Sequence, residues 1–179
     1  MLIKALKHIL LFFLIVAFQI SIVPNLPFGL NNLNYLIVIL IFISVVYKFY
    51  WGVAYGIMIG IVLDLYSLLP FGCLMLAILV TQYLVYKVYE HFLTNKSYYS
   101  LISLSVIGIL IYNTIIYFYQ IIYKVLQSES GLIRLFTLDS FYGLLGQVFY
   151  GIILVSIMFF VSHHTSQKFR AVFIDTIKQ

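Results

Sequence analysis

Asp64 is the residue best placed to do chemistry in this sequence. It stands in the apolar stretch WGVAYGIMIGIVLDLYSLLPFG, residues 51–72, and is the one acid inside a long hydrophobic run. A carboxylate in such surroundings either works as a functional charge or is held by hydrogen-bond donors. The other polar groups in apolar runs are scattered amides: Gln19, Gln82, Asn113, Gln120 and Gln147. Amides in this setting hydrogen-bond between helices, at about 0.6–2 kcal/mol each. His163 and His164 are adjacent, so on a helix they do not share a face and form a poor chelate. They lie at the end of an apolar run, as do His8 and His91, and read as interfacial residues. No HExxH, GxSxG, phosphate-loop or CxxC pattern occurs. The expectation is therefore of a protein that is not an enzyme, with no catalytic constellation, no metal site and no cofactor. Cys73 is the single cysteine; it excludes an internal disulfide and reads as a small packing residue.

The elements that must position Asp64 follow from composition. The 179 residues are 64% hydrophobic and 8% charged, against about 25% charged in a soluble domain. Long apolar runs with few charges are transmembrane helices. The net charge of +5 comes from residues at the ends of these runs, not from a basic patch, so nucleic acid is not the expected partner. The sequence predicts an all-α integral membrane protein, a single polytopic domain over residues 1–179. Its six spans are at about 5–23, 32–47, 51–68, 71–86, 101–123 and 141–162. The N-terminal run lacks an Ala-x-Ala site and is followed by more spans, so it reads as an uncleaved first helix.

With an inside N-terminus, the inner segments hold Lys4, Lys7, Lys48, Lys87, Lys96, Lys168, Arg170 and Lys178, and the outer ones hold Lys124 and Arg134. Eight against two satisfies the positive-inside rule and places both termini in the cytoplasm. Tyrosines near span ends, such as Tyr117, Tyr119 and Tyr123, fit an aromatic belt. The loop Lys124–Ser140 reads either as a segment lying in the outer interface or as a disordered connection.

Gly52, Gly56 and Gly60 stand four apart and form a stripe that lets two helix backbones approach closely. The helix that fills it belongs either to this chain or to another protein. Asp64 continues the stripe about 20 Å along the helix from Trp51. There it meets the cost of an acid in the bilayer and the unfavourable end of its own helix dipole. The following turn can offset both. Pro70 ends the third span near Leu68 and suits the first position of a new helix. The free N–H groups of Phe71, Gly72 and Cys73 would then serve Asp64 and staple spans three and four into a hairpin.

Gly60, Asp64, Pro70 and Gly72 in GIVLDLYSLLPFG resemble the Gly-x-x-x-Asp and Pro-x-Gly signature of the rod shape-determining protein MreD family. The layout of the whole chain agrees with that family. The motif covers Trp51–Tyr86, while the second span, NNLNYLIVIL, lacks the proline often found at its start. The resemblance implies a bacterial inner-membrane protein of the cell-elongation machinery. It further implies partnership with an MreC-like protein, the MreB cytoskeleton and a complex of RodA with a transpeptidase, and a role in positioning or regulating lateral peptidoglycan synthesis. The family's fold is similar to the six-helix substrate-binding component of energy-coupling-factor transporters, which makes a vitamin transporter component the alternative. Against that alternative, HILLFFLIVAFQI in the first span has no Ala-x-x-x-Ala pair, and Asn25, Asn31 and Asn113 offer few ligand contacts.

Overall fold

The computed structural model describes residues 16–25, 34–46, 49–93, 97–126 and 138–165, with the side chains of 141–162 in the last stretch. These residues form α1 (Val16–Asn25), α2 (Tyr35–Val46), α3 (Phe49–Tyr66), α4 (Cys73–Phe92), α5 (Tyr98–Leu126) and α6 (Leu138–Thr165). No strand occurs among the described residues. The described residues are thus all-helical, and α3, α4, α5 and the Phe141–Ser162 part of α6 are long and apolar enough to cross a membrane.

The centre of the bundle is α2, YLIVILIFISVV, which is apolar on every side. A helix without a polar face has to be surrounded, and α2 packs against α3, α4, α5 and α6. Leu36, Val38 and Leu40 have no exposed surface. Successive helices α3 to α6 pack side by side and wall α2 in. At 12 residues, α2 is about 18 Å long, short of the roughly 30 Å hydrocarbon core. The second expected span, 32–47, is therefore a short internal helix over its described length. The surrounding helices supply the lipid-facing wall, so α2 need not match the bilayer. The first expected span is described only from Val16 onward, where Val16 and Val23 are buried and the Phe18 ring meets Tyr35 edge-on at 5.8 Å.

The boundaries of the third to sixth expected spans move. The third span stops at Tyr66 rather than near Leu68. The fourth runs over Cys73–Phe92 rather than 71–86, because Lys87, Glu90 and His91 are part of the helix rather than of a loop. Lys87 Nζ reaches Glu90 at 3.2 Å, and His91 Nδ1 meets the Lys87 carbonyl at 2.9 Å. An i,i+3 ion pair at an exposed helix end keeps both charges solvated without ending the helix. The fifth and sixth helices also extend beyond 101–123 and 141–162, bringing Lys124 and Asp139 onto helices. The middle of the Lys124–Ser140 loop lies outside the described residues.

Two links tie α5 to α6. Asn113 Nδ2 donates to Gln147 Oε1 at 2.8 Å, and Tyr98 OH pairs with Ser156 Oγ at 2.8 Å. Interhelical contacts of this kind hold helices together where no hydrophobic drive exists between them.

Packing around α2 generates a prediction. Leu40→Ala leaves a cavity with helices on all sides and lowers unfolding free energy by about 2–5 kcal/mol. Leu84→Ala, on an exposed face of α4, changes it by about 0.5 kcal/mol or less. Titration with denaturing detergent in mixed micelles measures both; equal effects would mean that α2 is not the packed centre.

Candidate functional site

The stripe of α3 is filled by this chain. A Cβ on Gly60 would lie 2.6 Å from the Met75 Cα, so the backbones of α3 and α4 touch there. One turn earlier, the side-chain position of Gly56 is occupied by the Gln82 amide, with Oε1 2.5 Å from where a Cβ would be. Gly52 faces Ser44 of α2. Of the two occupants open from the sequence, the internal helices are those the structure places in the groove.

Gln82 joins the three helices at this level. Its Nε2 donates to the Gly52 carbonyl at 2.9 Å and approaches Ser44 Oγ at 3.5 Å, while Ser44 donates to the Leu40 carbonyl at 2.8 Å. Without Cβ atoms on Gly52 and Gly56, the amide can lie flat against the α3 backbone. The sequence marks Gln82 as one of several interhelical amides, but nothing in it pairs Gln82 with Gly52 or singles out Ser44.

At the other end of the stripe, Asp64 is 4% exposed. Its Oδ1 accepts from the Leu74 N–H at 2.9 Å and its Oδ2 from the Met75 N–H at 3.1 Å. These donors differ from the expected Phe71, Gly72 and Cys73. The reason is the backbone of Gly72, which caps α4 at φ 97°, in the left-handed region. The helix therefore restarts at Cys73, not at Pro70, and its free N–H groups fall later in the sequence. Pro70 instead closes the turn, its carbonyl accepting from Cys73 N–H at 3.2 Å.

The positions of Leu74 and Met75 explain the arrangement. They are the second and third residues of α4, whose N–H groups an N-cap Ser, Thr, Asp or Asn normally serves. Gly72 has no side chain with which to do so. Asp64 performs that capping from the preceding helix, and its negative charge also suits the positive end of the α4 dipole. Both carboxylate oxygens are engaged in this way. Among the described residues no group of three or more His, Cys, Asp or Glu could hold a metal ion. Asn113 is drawn to Gln147, away from Asp64, and His91 lies at the opposite end of α4. His8 and Asn31 fall outside the described residues, as do the side chains of His163 and His164.

A family model for the rod shape-determining protein MreD matches residues 2–107. This chain belongs to the MreD family. The match takes in α2, α3, α4 and the opening turns of α5, so the hairpin carrying Gly60, Asp64, Pro70 and Gly72 lies wholly inside it. Comparison with curated proteins and with solved structures gave no match. Membership agrees with the apolar helices in making this a membrane protein associated with cell shape.

The MreD hairpin yields two predictions. Asparagine keeps one acceptor oxygen and turns an NH2 toward the second donor, so Asp64→Asn loses one capping bond and Asp64→Leu loses both. At about 1–3 kcal/mol for each buried group left unpaired, thermal stability in detergent falls in the order wild type, Asn, Leu. Normal stability in both variants with equal loss of function would instead make Asp64 a functional charge. The glycines separate by mechanism. Gly60→Ala forces α3 and α4 apart and costs about 1–3 kcal/mol. Nothing lies within 4 Å of a Cβ on Gly72, so Gly72→Ala costs about 1–2 kcal/mol through its backbone alone. Asparagine visits the left-handed region more readily, so Gly72→Asn restores part of the loss on the same stability scale, and Gly60→Asn does not.

Proposed function

We propose that this protein is a non-enzymatic inner-membrane component of the rod-shape machinery that binds an MreC-like partner. Through that partner, MreB and a complex of RodA with a transpeptidase, it helps to position or regulate lateral peptidoglycan synthesis. The observation that carries the reading is the family match over a hairpin whose buried acid, Asp64, has both oxygens engaged by the α4 backbone. A carboxylate held in this way is a structural part rather than a base or nucleophile, and a scaffold is the role that such a part serves. The bilayer is the body's solvent, and the layout belongs with that of six-helix membrane-embedded bundles such as the substrate-binding components of energy-coupling-factor transporters.

The orientation in this reading follows the basic residues. Tyr86 stacks on Phe49 at 4.3 Å, so Lys87 stands at the end of the bundle where α3 begins, and Lys124 stands near the far end of α5. The positive-inside rule puts the first end, with both termini, in the cytoplasm. The α3–α4 turn then faces the outer leaflet, on the side where wall synthesis takes place.

Conditional depletion in the native host tests the role. Rods are expected to widen and round before growth stops, and affinity purification in mild detergent is expected to bring down an MreC-like protein. Cells that keep their shape on depletion, or a stoichiometric small molecule with an ATPase module in place of that partner, would overturn the proposal.

A further inference from the structure

The α3–α4 turn combines turn formers with large apolar residues. No charged residue occurs between Asp64 and Lys87, and beside Ser67, Pro70 and Gly72 the connection carries Leu68, Leu69 and Phe71. The large side chains at its tip point outward: Leu65, Tyr66, Leu68 and Phe71 are all well exposed, Leu68 to 98%.

Hydrogen bonds pair part of the turn's backbone and the start of α4. Ser67 N–H donates to the Asp64 carbonyl, Leu69 N–H to Ser67 Oγ, Cys73 N–H to the Pro70 carbonyl and Leu76 N–H to the Gly72 carbonyl. Asp64 takes Leu74 and Met75, and Pro70 has no N–H. This pairing lets the start of α4 lie away from water. Leu68, Phe71 and Gly72 have no acceptor within the turn, which places the tip where headgroups or water can reach it rather than at the hydrocarbon centre.

Helix lengths set its depth. α5 starts beside the end of α4, where Ser100 Oγ donates to the Leu93 carbonyl at 3.2 Å. Beyond that contact α5 continues to Leu126 while α4 reaches back only to Cys73, so α5 outruns the start of α4 by about 9 Å. Lys124, near the end of α5, marks a membrane boundary roughly 6 Å beyond the start of α4, on the side of the turn. That is the depth at which apolar side chains seat in the boundary between headgroups and acyl chains.

We infer that the α3–α4 turn is a lipid-contact site, with Leu65, Tyr66, Leu68 and Phe71 inserted among the acyl chains just beneath the headgroups of the leaflet on that side. The inference rests on the membrane placement alone and not on the role in wall growth.

The test uses the full chain with Cys73→Ser and a single cysteine at Leu68→Cys, labelled with bimane and reconstituted into phosphatidylcholine vesicles. Leu68 makes little contact with the rest of the protein, and Tyr66→Cys serves as a second site should the first variant express poorly. Chain-brominated phosphatidylcholine is expected to quench the label several-fold more than aqueous iodide does. Dominant iodide quenching would put the turn in water, and little quenching by either agent would mean that protein covers it. Either result overturns the inference and leaves the shape role standing.

Discussion

The carboxylate of Asp64 and the two N–H groups of Leu74 and Met75 form the contact on which the hairpin depends. Each side of it solves a problem of the other. The acid is 4% exposed and sits near the end of its own helix, where the dipole disfavours a negative charge. The start of α4 has free donors and a glycine cap that cannot serve them. Placing the acid on those donors satisfies both, and the direct hydrogen bonds, together with the favourable end of the α4 dipole, outweigh the unfavourable end of α3. In low dielectric, groups left apart would cost far more than they do when joined.

The glycine stripe and the acid belong to the same device. Met75 supplies its Cα to the contact with Gly60 and its N–H to Asp64. The carboxylate reaches the α4 backbone because the α3 backbone lies against it. Further along, Gln82 lies over Gly56 and donates to the Gly52 carbonyl. A polar contact at each end fixes the register of α3 on α4, and the small residues between set the distance. Neither could be exchanged alone: larger residues in the stripe would lift Asp64 off its donors, and loss of the acid would free the helix end that the stripe aligns.

How much of this was legible in the sequence depends on how far each feature is local. The spacing of Gly52, Gly56, Gly60 and Asp64 and the break at Pro70 point to a close-packed hairpin with a capped acid. The identity of the donors does not follow from them, because it turns on the Gly72 dihedral, and a glycine in sequence carries no sign of φ. The ends of α4 and α5 were hidden for a different reason. Lys87, Glu90 and Lys124 look like loop residues when charge is read as solvent, yet long side chains at helix ends keep their charges in water while the backbone stays helical. The central place of α2 was hidden too, since a run apolar on all sides has no periodic face to show which neighbours it meets. The pairing of Asn113 with Gln147 is long-range, and scattered amides do not announce their partners.

Of the residues that carry the family signature, Gly60 and Asp64 lie inside the protein, whereas Pro70 is exposed and Gly72 half-buried at the turn. Gly52, Gly56, Gly60 and Asp64 are all buried, against Ser44, Gln82, Met75 and Leu74 respectively. The buried part of the motif, with the glycines before it, therefore describes how the body is built. The outward faces of α3, α4 and α6 offer aromatic and aliphatic side chains such as Trp51, Tyr83 and Phe149. Their apolar parts do not distinguish a protein helix from lipid by hydrogen bonding. A partner that leaves the bilayer on these faces has to be selected by shape, or at the membrane boundaries where tyrosines, lysines and backbone groups become available. A rigid hairpin serves that kind of recognition, because selection by shape is only as sharp as the surface is fixed. The buried staple is thus what holds the outward surface of α3 and α4 in one shape.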